Sequence, residues 1–155
     1  MALFRTYEFG ETIKANLTII TLGVRNLDMA IDFYRDGLGW PMSSASAGDF
    51  ILFKMNTGTA LALYPRDLLA ADAGIEDARG FGGITLAQNV ATREEVDLVL
   101  SQAAGAGGRI IRPAQESEYC LGAYTGYFAD PEGHPWEVAY NPYFTLEQGK
   151  LVLPD

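Results

Sequence analysis

Few side chains in this sequence can do chemistry. There is one histidine, His134, and one cysteine, Cys120. A Cys–His nucleophile pair would need the two side by side, and nothing in their spacing places them together, so Cys120 reads as an inert thiol. Glu137 follows His134 by three residues. At that odd spacing on a strand the two side chains face opposite sides of a sheet. Gly80, Gly82 and Gly83 have the look of a nucleotide loop. They precede a strand rather than opening a helix, so no phosphate cradle results.

The charge balance narrows the partners. Lys and Arg total 11 against 20 Asp and Glu, a net charge of -9. That field repels phosphate backbones and anionic lipid, and no basic stripe offsets it, which argues against nucleic acid and membrane surfaces. The opening MALFRTYEFGETIK lacks an apolar signal core. No apolar run reaches the roughly 18–20 residues that span a bilayer. A cytoplasmic protein is expected, and the sequon at Asn16 is then chance.

The elements that must position these residues are written twice. Ile19–Val24 is β-branched and reads as a strand. Asn26 can cap a helix whose apolar positions Leu27, Ala30, Ile31 and Tyr34 follow i, i+3, i+4, i+7 spacing, with Gly37 and Gly39 as the stop. Strands are predicted at 40–43, 50–55 and 59–64, the last two joined by Asn56-Thr57-Gly58. A polar, Ala-rich connector covers 65–82. The order then repeats. A strand is predicted at 83–90, and Thr92 with Glu95 forms a capping box for a helix carrying Val96, Val99, Leu100 and Ala103 on one face. Strands at 109–111, Tyr124–Ala129 and 134–140 complete it, the last two joined by Asp130-Pro131-Glu132-Gly133. The expected fold class is α+β, with two βαβββ repeats forming a cupped mixed sheet and helices on its convex side. A single domain over 1–155 is expected, with repeats at about 17–64 and 83–142 and a packed tail at 143–155 that holds Phe144, Leu146, Leu151 and Leu153.

Leu22-Gly23-Val24, then Phe33-Tyr34 with Leu38-Gly39, resembles the first half of the glyoxalase / bleomycin-resistance / extradiol-dioxygenase superfamily, the vicinal oxygen chelate proteins. The segment DPEGHPWEVAYNP resembles its closing hairpin. The resemblance runs from about Thr18 to Pro142. It implies a ligand pocket on the concave side of the sheet. Many members hold one metal between the two modules; others bind a small molecule without one.

In metal-using members, the ligand positions lie on the first and last strand of each half. Here the resemblance maps them to Ile19, Ala62, Gly83 or Thr85, and Glu137. Only Glu137 can ligate. Zinc needs three or four ligands, and oxygenase iron uses two histidines with a carboxylate. The resemblance therefore implies no resident metal or other cofactor here, and the histidine count argues against a ring-cleaving iron dioxygenase. A glyoxalase I lyase would need ligands from a partner chain or a displaced loop.

Strand alternation sorts the faces. Ile20, Leu22, Val24, Ile84, Leu86, Leu61, Leu63, Trp136, Val138 and Tyr140 form an apolar face suited to packing beneath helices. The other face carries Thr21, Gly23, Ala60, Ala62, Thr85, Ala87, Glu137 and Ala139, small residues around one carboxylate. Room beside a polar group describes a ligand site, although a tail or a partner chain could fill it instead. Phe50, Phe53, Tyr64, Tyr119, Tyr124 and Tyr127 could supply walls, with Tyr124 and Tyr127 singled out as rim residues. The ligand-binding candidates are thus Thr21, Ala62, Thr85, Tyr124, Tyr127 and Glu137. For Glu137 three roles stay open: structural remnant, ligand-binding group or general base.

Two functions follow, beside a third reading as a homodimeric structural relic with no ligand. One is metal-independent binding of a small, partly apolar or aromatic molecule, as in the drug-sequestering branch. The other is a glyoxalase-type lyase or isomerase, with an unconventional metal site or with Glu137 alone as base. Family habit implies a homodimer.

Overall fold

The computed structural model describes residues 15, 17–73, 75–82, 84–118 and 120–152. Asn16, Gly83, Tyr119 and Leu153, all named above, lie outside them, as does the opening segment. Strand β1 (Ile19–Val24) leads into α1 (Leu27–Ile31), then β2 (Ile51–Lys54) and β3 (Ala60–Pro65). A second helix, α2 (Arg66–Ala73), precedes β4 (Leu86–Asn89), α3 (Arg93–Gly105), β5 (Arg109–Glu116), β6 (Tyr124–Ala129) and β7 (Pro135–Tyr140). The hairpin β8 (Thr145–Glu147) and β9 (Lys150–Val152) follows.

The strands form two mixed sheets, ordered β1-β3-β2 and β4-β7-β6-β5. In each, the first strand of a repeat runs parallel to the last, β1 with β3 and β4 with β7, and the other pairs are antiparallel. The α+β class with a repeated strand–helix–strand order is what the sequence predicts. The strand expected at 40–43 shrinks to a bridge between Met42 and Phe53. Two hydrogen bonds, Ser43 N to Leu52 O and Lys54 N to Pro41 O, are what holds it beside β2.

Both predicted caps form. Asn26 Oδ1 accepts from Met29 N at 3.0 Å, and Thr92 Oγ1 accepts from Glu95 N at 3.2 Å. The Glu95 carboxylate reaches back one residue further than a capping box requires, to Ala91 N at 2.8 Å. Beyond α1 the chain widens into a π-helical turn, Asp32–Gly37, closed by Leu38 N to Phe33 O. The extra residue per turn puts Phe33 and Tyr34 into the core together, with ring centroids 5.0 Å apart.

One core serves both repeats. Leu22, Val24, Leu61 and Leu63 from the first sheet pack with Val96 and Leu100 of α3 and with Trp136 and Val138 of the second. These are the positions that alternation assigns to the helix side. Ile84 is the exception: it is 70% exposed and leaves the core. The connector at 65–82 is no plain linker, because α2 occupies it and packs on β1 and β3. A Cβ at Gly23 would come within 3.1 Å of Arg66 Cγ, so the glycine lets this helix approach the sheet face turned away from the core.

Candidate functional site

A cavity of about 880 Å³ opens between β1 of the first sheet and β4 of the second, each paired on one side only among the described residues. Ile20, Leu22, Ile84, Leu86 and Ile111 give it an apolar lining, to which Thr21 and Thr85 add hydroxyls. Tyr127 enters from β6. Glu132, Gly133 and His134 enter from the turn between β6 and β7, and Phe81 from the chain before β4. The site is therefore a cleft between two half-sheets rather than the cup of one continuous sheet. α2 lies over part of the face on which the cup is expected.

Of the six candidates, Thr21, Thr85 and Tyr127 line this cavity. Ala62 does not: it has no accessible surface, so the spare volume expected around it is absent. Tyr124 lies on the helix side, where its hydroxyl donates to Asp97 of α3 at 3.1 Å and the Arg93 guanidinium covers its ring at 5.4 Å. The hydrogen bond to Asp97, then burial, raises Tyr124 above the ordinary tyrosine value. Tyr124 and Tyr127 are three apart on one strand, so alternation sends them to opposite faces. Phe53 is buried in the core, and the Phe50 and Tyr64 rings pack on each other at 5.9 Å.

Glu137 projects from β7 on the side away from Trp136, which is buried in the core. It pairs across the strands with Tyr127, so the carboxylate stands beside the phenol on the same face. Burial first, and then the Glu137 charge, raise Tyr127 above the ordinary tyrosine value, while Arg112 opposes the shift. Arg112 stacks over the Tyr127 ring at 5.1 Å and donates to Thr125 Oγ1 at 2.6 Å. Glu137 thus reaches the cavity through Tyr127 rather than directly.

Sequence spacing does not single out the turn at Asp130-Pro131-Glu132-Gly133-His134 as a site, yet the structure builds one there. Asp130 has a fully buried side chain. Its Oδ1 accepts from the amides of Glu132 at 3.0 Å and His134 at 2.8 Å. Its Oδ2 accepts from the Tyr34 hydroxyl at 2.8 Å and lies 2.8 Å from Nδ1 of His134. Trp136 Nε1 donates to Tyr34 Oη at 3.0 Å. Burial, then the Asp130 charge, pushes Tyr34 well above the ordinary tyrosine value, so it stays a donor. The Glu132 carboxylate accepts from the amides of Arg25 at 2.8 Å and Asn26 at 2.7 Å, tying this turn to the end of β1. His134 precedes β7, so strand alternation does not govern it. It lines the cavity, whereas Glu137 does not.

Three arginines, Arg25, Arg66 and Arg79, also line the cavity. Asp77 pairs with Arg66 at 2.6 Å and stands 3.8 Å from Arg25. Arg79 has no ion pair or hydrogen bond among the described residues. In a chain of net charge -9 this is a local reversal of sign.

The positions that would hold a metal in relatives do not suit one. Ile19, Ala62 and Thr85 offer no ligand that a transition metal favours, which leaves Glu137 as the one carboxylate among them. Among the described residues no three His, Cys, Asp or Glu side chains converge.

Comparison with known proteins agrees with this geometry. A crystal structure described as a glyoxalase-related enzyme from Fulvimarina pelagi is 32% identical, with a TM-score of 0.81, over 92% of this chain and 100% of that one. A lactoylglutathione lyase from Agrobacterium tumefaciens, 23% identical with a TM-score of 0.64, is matched over 87% of this chain and 100% of its own. A glyoxalase/bleomycin resistance protein/dioxygenase family enzyme from Burkholderia phytofirmans PsJN, 21% identical at a TM-score of 0.69, is matched over 81% and 98%. The latter two speak to the fold alone. No curated protein matches the chain. The family model for the glyoxalase/bleomycin resistance protein/dioxygenase superfamily matches residues 16–138. With the repeated sheet order and the DPEGHPWEV hairpin in place, the chain belongs to that superfamily.

Proposed function

We propose that the protein binds a small, partly apolar or aromatic molecule in the cavity between β1 and the second sheet, without a metal. The observation that carries this reading is the cavity itself. Its size falls in the range of small-molecule sites, and a few polar groups converge on an apolar lining. Thr21, Thr85, Tyr127 and His134 are the groups placed to orient a ligand, with Glu137 beside Tyr127 across the strands. A homodimer, on the habit of the family, and a cytoplasmic setting belong to the same reading. Among the described residues no helix is long and apolar enough to cross a membrane.

A thermal-shift screen of aromatic and apolar compounds tests it. At least one should raise the melting temperature by mass-action stabilisation of the native state. Thr85 is exposed on the cavity wall, so Thr85→Trp should fill the space without disturbing the core. That variant is expected to fold normally and to lose the shift. If the variant keeps every hit, binding lies elsewhere.

A second reading, a glyoxalase-type lyase or isomerase with Glu137 as base, is favoured by the description of the 32% identical relative as a glyoxalase-related enzyme. Glu137-dependent turnover of a bound compound separates it from simple binding.

A further inference from the structure

We propose that the cavity's ligand presents an acidic hydroxyl, a phenol or an enol, to Nε2 of His134, and that the ring accepts its proton. This rests on the reading of the cavity as a small-molecule site and names the ligand class.

Hydrogen-bond accounting places the hydrogen on the His134 ring. Both Asp130 oxygens act as acceptors, Oδ1 from two amides and Oδ2 from the Tyr34 hydroxyl. The Tyr34 oxygen already accepts from Trp136 Nε1, and its own hydrogen points at Asp130. The remaining contact on Oδ2, Nδ1 of His134 at 2.8 Å, must therefore also be a donor. A neutral ring that carries its hydrogen on Nδ1 leaves a bare lone pair on Nε2. Asp130 fixes the tautomer and the ring orientation, so it is a positioning residue.

Nε2 is also reachable. No donor among the described residues bonds to it, and none of their buried side-chain polar atoms lacks a partner. An Nε2 without a protein partner must then be open to solvent-filled space, and the cavity is the space that His134 lines. The His134 side chain is only 18% exposed, so little of the ring is open.

The rest of the cavity suits the product of proton transfer. When the ligand O–H bond breaks, its electron pair stays on oxygen and the proton forms Nε2–H. The result is an imidazolium beside Asp130 and an oxyanion in the cavity, with no other reactant needed. Arg25, Arg66 and Arg79 line the cavity against the carboxylates of Glu132 and Asp77, so cations outnumber carboxylates there by three to two and Arg79, free of ion pairs among the described residues, is the cation open to the oxyanion. Ile20, Ile84 and Ile111 offer apolar surface to the ring that carries it.

The probes are para-nitrophenol, which changes absorbance on ionisation, and its methyl ether para-nitroanisole. Both are titrated into the protein at a pH where free nitrophenol is mostly protonated. The phenol should bind about tenfold or more tightly than the ether, the usual worth of a charge-assisted hydrogen bond. Its bound form should show the phenolate band. His134→Asn keeps a donor for Asp130 but lacks Nε2. It should remove the band and abolish the tenfold preference for phenol over ether. Equal binding of phenol and ether, with the bound phenol showing the neutral spectrum, would overturn the inference and leave the cavity reading standing. Absence of binding by either probe would overturn it too, and the thermal-shift screen would still test the cavity independently. Should His134→Asn fail to fold, the wild-type comparison of phenol and ether decides alone.

Discussion

Asp130→Ala is expected to lower the unfolding free energy by about 3–5 kcal/mol, as removal of one member of a buried, charged network does. The substitution strands several donors at once. The Tyr34 hydroxyl is buried in the core and would have no acceptor, and the amides of Glu132 and His134 would lose theirs. Because the same turn holds Arg25 and Asn26 through Glu132, the loss would also loosen the junction between the repeats. Domains of this size are stable by about 5–15 kcal/mol, so the loss is a large fraction of the whole. Urea unfolding followed by tryptophan fluorescence measures it, Trp136 being one partner in the network. A loss under about 0.5 kcal/mol, the usual effect of an indifferent surface change, would mean that Asp130 does not link these elements.

Gly126→Ala is expected to cost about 1–3 kcal/mol, the range for overpacking a filled core. Gly126 lies mid-strand in β6 beneath α3. A Cβ there would stand 2.5 Å from Leu100 Cδ1, 3.0 Å from the backbone N of Ala114 and 3.1 Å from its Cα. Leu100 can rotate, but the β5 backbone at Ala114 can yield only by moving the strand. The same urea measurement reports it, and an unchanged midpoint would mean that β5 adjusts freely.

Parts of this molecule can be read from the chain because local physics determines them. The two capped helices follow from Asn26, Thr92 and apolar spacing, and the β6–β7 hairpin follows from Asp130-Pro131-Glu132-Gly133, where Gly133 takes a φ of +91°. Thr21 and Thr85 can be placed on the non-core side by alternation alone. α2 is not legible in the same way, because it buries no residue and so shows no apolar stripe. Once present, it changes the meaning of the strand beneath it: Arg66 stands against Gly23, and Ala62 is buried rather than open. The His134–Asp130–Tyr34 network is hidden for another reason. Tyr34 stands 96 residues from Asp130, and no periodicity in either segment announces the contact. The one available signal is an aspartate and the chain's single histidine at the two ends of a tight turn.

The resemblance that names the superfamily also sets the question of metal. Three of the four mapped positions carry side chains that cannot bind a transition metal, and the cavity lies to one side of Ala62 and Glu137. Ligand recognition as proposed depends on Thr21, Thr85, Tyr127 and His134, none of which needs an ion to be positioned.

The sharpest test of metal-independent binding is to repeat the thermal-shift titration of a screened ligand on protein dialysed against a strong chelator, with elemental analysis before and after. The expected result is no stoichiometric nickel, zinc, iron or manganese, an unchanged melting temperature without ligand, and the same ligand-induced rise after chelation. About one such metal per chain, with the rise lost on chelation and restored by adding that metal back, would contradict it.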